Sequence, residues 1–189
     1  MQILKYLPVK CAFVLCIAFG VFAGFNYLNR DRSARKNWNL AYRLYTMGNY
    51  SGCLLHYEQA WPELKTDGDF LTNYGKALSM VGEYLPAIAV LQQATTYYPN
   101  TVVYTALGDS YKALGKPIEA EQSYFIAWYM NPSRFYPQYL LARLYDETGQ
   151  AEKATAMARE LLNKDVKIRS TAIDEIKKEM VEILKKYND

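Results

Sequence analysis

Four glycines govern what this chain can fold into. Gly48, Gly82, Gly115 and Gly149 follow one another at steps of 34, 33 and 34 residues. Residue types repeat at fixed offsets around them. Seven before each glycine stand Ala41, Gly75, Gly108 and Ala142; five after stand Cys53, Ala87, Ala120 and Ala154. Twelve after stand Ala60, Ala94, Ala127 and Leu161. Eight before are Leu40, Tyr74, Leu107 and Leu141, and four before are Leu44, Leu78, Tyr111 and Tyr145. In two units a proline follows at seventeen, Pro99 and Pro132. A fixed period of this length marks one supersecondary unit copied along the chain, each copy burying its apolar face on the next.

Within each unit the apolar positions recur at three, four and seven, which predicts two short amphipathic helices. The small residues at minus seven and plus five let those helices approach closely. Each glycine ends the first helix, because a left-handed C-terminal cap carries no steric penalty there. Pro86, Pro117 and Pro137 fall in first turns, where a missing N–H costs little. Eight helices are expected over 34–47, 50–61, 68–81, 84–97, 102–114, 117–130, 135–148 and 151–163. A ninth starts at Thr171 with Asp174 in the manner of a capping box. Ala172, Ile173, Ile176, Met180, Ile183, Leu184 and Tyr187 form its apolar face, and its lysines are expected to solvate the other. Such a helix covers the last hairpin of a stack.

Over residues 34–167 the pattern resembles the tetratricopeptide repeat. That resemblance implies a stack of helical hairpins with a concave surface lined by first-helix residues. The end units depart from the family pattern: Trp38 is one position away from the usual tryptophan, Lys65 replaces a common proline, and Ala158 and Leu161 replace an aromatic and an alanine.

The start of the chain has a different character. Cys11 to Asn29 contains no charge, and 19 residues of helix reach roughly 28 Å, near the roughly 30 Å bilayer core. Lys5 and Lys10 precede the run, and Arg30, Arg32, Arg35 and Lys36 follow it. The expectation is a single-pass membrane protein anchored by residues 11–29, in a bacterial inner membrane. The count of basic flanks favours a cytoplasmic repeat domain. The alternative is a signal peptide cut after the small residues Val21 and Ala23, leaving a secreted periplasmic protein. The expected fold class is therefore all-α: an N-terminal transmembrane helix, a solenoid of four tetratricopeptide hairpins and a C-terminal capping helix. Its parts are a flank at 1–10, the span at 11–29, a basic segment at 30–33, repeats at 34–67, 68–100, 101–134 and 135–167, and the cap at 168–189.

Composition narrows the function. The net charge is +3, and beyond residue 29 there are 20 bases against 19 acids, which is no footprint for nucleic acid. Three cysteines and one histidine cannot build the usual zinc sites. No nucleophile elbow, phosphate loop or zincin helix is present. His56 is placed by the register on an outer flank, and the neighbours Asp146 and Glu147 read as solvated charges. No catalytic, cofactor or metal residue is expected, so the chain is read as a non-enzyme. A protein partner, as an extended peptide or a helix, is expected in the concave groove. Its candidate contacts are Tyr42, Asn73, Lys76, Asp109, Lys112, Tyr136, Tyr139 and Arg143. The carboxylate-holding constellation of some family members is incomplete: Asn73 matches one position, but Trp38, Tyr42, Val102 and Ala106 occupy others.

Three stretches suggest a narrower likeness: TNYGKALSMVGEY, AWYMNPSRFYPQYLLARLYDETGQAEKA and STAIDEIKKEM. Together they resemble the C-terminal region of bacterial O-antigen ligase and polymerase family proteins, in which a last membrane span leads into such repeats. The likeness implies an envelope or surface-polysaccharide setting. It carries no catalytic residue, since the many-span part of that family has no counterpart here. The expected function is a membrane-anchored interaction scaffold; the alternative is a detached, non-catalytic ligase tail.

Overall fold

The computed structural model describes the backbone of residues 7–188 and the side chains of Ile17 and of residues 19–187. The described residues form nine α-helices and no strand. They are α1 (Leu7–Thr46), α2 (Tyr50–Leu64), α3 (Gly68–Met80), α4 (Tyr84–Tyr97), α5 (Thr101–Ala113), α6 (Pro117–Met130), α7 (Tyr136–Glu147), α8 (Ala151–Asn163) and α9 (Thr171–Asn188). Two compact units result, Met1–Lys65 and Thr66–Asp189.

The four glycines act as the spacing implied. Each has positive φ, from 70° at Gly115 and Gly149 to 87° at Gly82. The N–H of the residue after each glycine returns to the carbonyl of the residue four before that glycine: Asn49 to Leu44 (2.9 Å), Glu83 to Leu78 (3.0 Å), Lys116 to Tyr111 (3.0 Å) and Gln150 to Tyr145 (2.8 Å). That is the Schellman closure, which satisfies a helix-end carbonyl and turns the chain back. The helix starts are capped by side chains where the sequence offers them. Asp67 accepts from the N–H groups of Asp69 and Phe70, and Asn100 from those of Val102 and Val103. At α9 the cap is Ser170, one residue earlier than expected, whose hydroxyl accepts from the Ile173 N–H.

In the first unit, α1 and α2 pack as a hairpin with Ala34 and Ala41 buried on one helix and Cys53, Tyr57 and Ala60 on the other. Two expectations are corrected here. The expected span at 11–29 and first hairpin helix at 34–47 are one unbroken helix, because no Gly or Pro stands between Gly24 and Gly48 to end it. The single-pass membrane assignment also fails: among the described residues no helix is long and apolar enough to cross a membrane. The side chains of residues 11–16 and 18 lie outside the described ones. Beyond Asn29, Arg30, Asp31 and Arg32 continue the same helix. His56 differs as well. It is half-buried, and its Nδ1 lies 3.3 Å from Asn37 Oδ1 on α1, so it belongs to the α1–α2 seam.

The second unit stacks the hairpins α3–α4, α5–α6 and α7–α8, with α9 in the place of a next first helix. The backbones of the first helices approach one another in succession, α3 to α5, α5 to α7 and α7 to α9, whereas those of α4, α6 and α8 stay further apart, with Lys153 of α8 reaching Glu121 of α6 by its long side chain (3.2 Å). A stack whose first helices converge and second helices splay is concave on the first-helix side. The regular spacing of small residues has a direct steric reason. A Cβ on Gly108 would come within 2.2 Å of the Tyr124 ring, and one on Gly75 within 2.5 Å of Leu91 Cγ. Ala87, Ala120 and Ala154 are fully buried on the facing helices. α9 closes the stack through buried Ile176, Met180 and Ile183. Its lysines do more than solvate it: Lys177 donates to the Leu162 carbonyl (3.0 Å), and Lys186 pairs with Asp146 (2.7 Å).

Candidate protein-binding face

The first helices of the second unit carry the sequence candidates: Asn73 and Lys76 on α3, Asp109 and Lys112 on α5, and Tyr136, Tyr139 and Arg143 on α7. Tyr42, half-exposed, belongs to the first unit. Asp109 is the electrostatic centre. It accepts a 2.6 Å hydrogen bond from the Tyr124 hydroxyl, which reaches it from α6 behind. Burial raises the Asp109 pKa; the Tyr124 bond and the charges of Lys112, Arg143 and Lys76 oppose the rise without cancelling it. Burial and the same carboxylate hold the Tyr124 phenol far above its usual range.

Arg143 and Lys112 are joined through Glu147. Lys112 Nζ lies 3.1 Å from Glu147 Oε2 and Arg143 Nη2 3.2 Å from Oε1. Arg143 also donates to the Tyr139 hydroxyl at 3.3 Å and stands 5.7 Å from that ring's centre. These contacts fix the guanidinium before any ligand arrives, which lowers the ordering cost of binding.

The two tyrosines of α7 have separate fates. Tyr136 is 50% exposed, its ring 5.9 Å from that of Tyr139, and burial followed by the Asp109 charge raises its pKa. Tyr139 is only 9% exposed and donates to Glu179 on α9 at 2.9 Å, so it lies in the α7–α9 seam. Asn73 opens on a cavity of about 360 Å³ with Asp69, Thr72, Asn100 and Arg134. Tyr124, Glu147 and Glu179 are not among the sequence candidates. Glu147 had a signal, standing four residues after Arg143 on one helix; Tyr124 and Glu179 come from other helices and had none. Among the described residues no group of three or more His, Cys, Asp or Glu is placed to hold a metal ion.

Residues 35–101 match the family model described as YpiA-like, C-terminal tetratricopeptide repeats. The chain has the fold of a tetratricopeptide-repeat solenoid. Its repeats superpose on TTC0263, a thermophilic repeat protein of Thermus thermophilus, with a TM-score of 0.65, 20% identity, and coverage of 80% of this chain and 83% of that one. MamA (residue 41 to the end) from Desulfovibrio magneticus gives 0.64, 19% identity, and coverage of 82% and 93%. YrrB, described as a repeat protein with an unusual peptide-binding site, gives 0.56, 17% identity, and coverage of 80% and 82%. No curated protein matches the chain, so the narrower likeness to O-antigen ligase tails gains no support.

Proposed function

We propose that this chain is a non-catalytic interaction scaffold. Its repeats are 34–67, 68–100, 101–134 and 135–167, with a cap at 168–189, and the concave face of the second unit takes an extended peptide or a partner helix. The observation that carries the reading is the pair Tyr136 and Arg143. One is a half-exposed ring, the other a guanidinium already held by Tyr139 and Glu147, and both stand on one helix beside Asp109. Rings and guanidinium groups dominate binding energy because they desolvate large areas and add directed polar contacts. Asn73, Lys76 and Lys112 supply polar contacts further along the same side. The peptide-binding site of the structurally similar YrrB supports this choice of ligand.

A photo-crosslinking residue at position 136 should trap a protein partner, while one at Leu85, exposed on α4, should trap none. Tyr136→Ala with Arg143→Ala should weaken capture at least about tenfold, which is about 1.4 kcal/mol, with helical circular dichroism unchanged. Adducts at position 85 and none at 136 would move the working surface to the second helices.

A further inference from the structure

The connections from second helices to first helices lengthen along the second unit. Residues 98–100 join α4 to α5, residues 131–135 join α6 to α7, and residues 164–170 join α8 to α9. The two longer ones wall a cavity of about 680 Å³ together with the start of α9. That size suits a bound side chain or small ligand. Its floor is apolar: Phe135, Ala172, Ile173 and Ile176. Ile168, 81% exposed, stands over it from the α8–α9 connection.

Lys164 makes the cavity a fixed feature. Its ammonium donates to the carbonyls of Pro132 (2.6 Å) and Arg134 (2.9 Å) and to Gln138 Oε1, and lies 5.1 Å from the centre of the Phe135 ring. One cation therefore ties both walling connections together. Two further cations line the mouth, Arg134 and Lys167, against the single carboxylate of Asp165. Among the described residues neither side chain makes an ion pair. Arg134 also lines the 360 Å³ cavity, with Asp69, Thr72, Asn73 and Asn100. A guanidinium thus stands where a hydrogen-bonding cavity and an apolar one meet.

We propose that this edge of the second unit binds an extended peptide in which an acidic residue adjoins a bulky apolar one. The apolar side chain enters the space between Phe135, Ile168 and Ile173, and the carboxylate lies on Arg134 and Lys167. The peptide backbone runs on past Asn73, whose side-chain amide offers a donor and an acceptor to main-chain amides. Two adjoining cavities, one mostly apolar and one of mixed lining, fit a chain with alternating chemistry; a free apolar acid would leave the second unused. Tyr136 lines the larger cavity as well as the concave face, so this inference rests on the scaffold reading and extends it to the ligand's sequence.

Random peptides displayed on phage, selected on the intact chain and then resynthesised with a fluorescent label, provide the probe. The selected sequences should share Asp or Glu beside Leu, Ile, Phe or Met. Fluorescence anisotropy should show at least about tenfold weaker binding to Arg134→Glu and to Ile168→Asp, with Arg134→Lys recovering part of the loss. Both positions are exposed, so the substitutions leave the core intact. Selected peptides without an acidic residue, or binding unmoved by both variants, would overturn the proposal. Binding lost only in Tyr136→Ala with Arg143→Ala would overturn it while the groove reading stands. Loss only in the Arg134 and Ile168 variants would uphold it and remove the groove. Decanoate binding with the same variant sensitivity, and no peptide selected, would assign the cavity to a free carboxylate and overturn both.

Discussion

Gly108 shows how far a single residue can be read from spacing. Its position, seven before Gly115, announced a close helix contact, and Tyr124 is the side chain that makes it. Gly108→Ala gains about 1 kcal/mol in helix propensity. It also drives a methyl into a ring that is fully buried and cannot retreat. Overpacking of this kind costs about 1–3 kcal/mol, so urea unfolding of the variant should show a net loss despite the better helix former. Asp109 illustrates the opposite case, a residue whose exposed-looking position hid its state. Burial raises its folded pKa above the unfolded value. A group shifted this way contributes stability below the unfolded pKa and loses it as pH rises through the folded one. Asn in its place still accepts from Tyr124 and never ionises. The stability of Asp109→Asn relative to the native chain should therefore rise as the pH climbs above about 4, read as a widening difference in Tm; a flat difference would show that burial does not shift Asp109.

At the level of helices, glycine caps end α1, α3, α5 and α7, and polar tethers add to the apolar contacts that hold α9. The Schellman closures follow from glycine and are local. The attachment of α9 is not local: Lys186 reaches Asp146 across forty residues, and Tyr187 donates to the Asp146 carbonyl oxygen. Burial by itself would raise the Asp146 pKa, but the Lys186 ammonium and the Tyr187 hydroxyl outweigh it and leave the value lowered. The sign is that of a carboxylate stabilising the fold above its unfolded pKa, with the contribution lost as pH falls through the lower folded value. Acidification below about pH 4 should thus release the last turns of α9 first. Amide exchange along residues 180–187 is the measurement, and in Asp146→Asn the same amides should lose that acid step. α1 teaches a complementary point. A hydrophobic run predicts burial somewhere, but a helix continues through it and beyond it unless a residue stops the backbone.

For the molecule as a whole, the division at Lys65 and Thr66 has a testable consequence. The second unit owns seven helices and a core running from Phe70 to Ile183. Residues 66–189 expressed alone should melt in one cooperative step by circular dichroism, because each helix from α3 to α8 packs on the one that follows it. A broad, non-cooperative melt would mean that the second unit does not fold by itself.

The glycine-capped helix ends and the small-residue contacts were legible in the order of the amino acids, whereas the continuous run of α1 from Leu7 to Thr46 was not. Those features depend on local geometry repeated at a fixed period: a left-handed glycine, a capping Asp67 or Asn100, an alanine facing a neighbour one helix away. The candidate face was legible to the extent that α3, α5 and α7 present their residues in register. Which of those residues are already engaged was settled by packing alone. Tyr139 and Tyr136 are three apart on one helix, yet α9 covers the first and leaves the second open. Glu147 read as a solvated charge until Lys112 arrived from α5. The cavity beneath Ile168 depends on Lys164 bridging two connections some thirty residues apart. Contacts of that separation depend on how hairpins stack, and a helix's own periodicity contains no record of what will be packed against it.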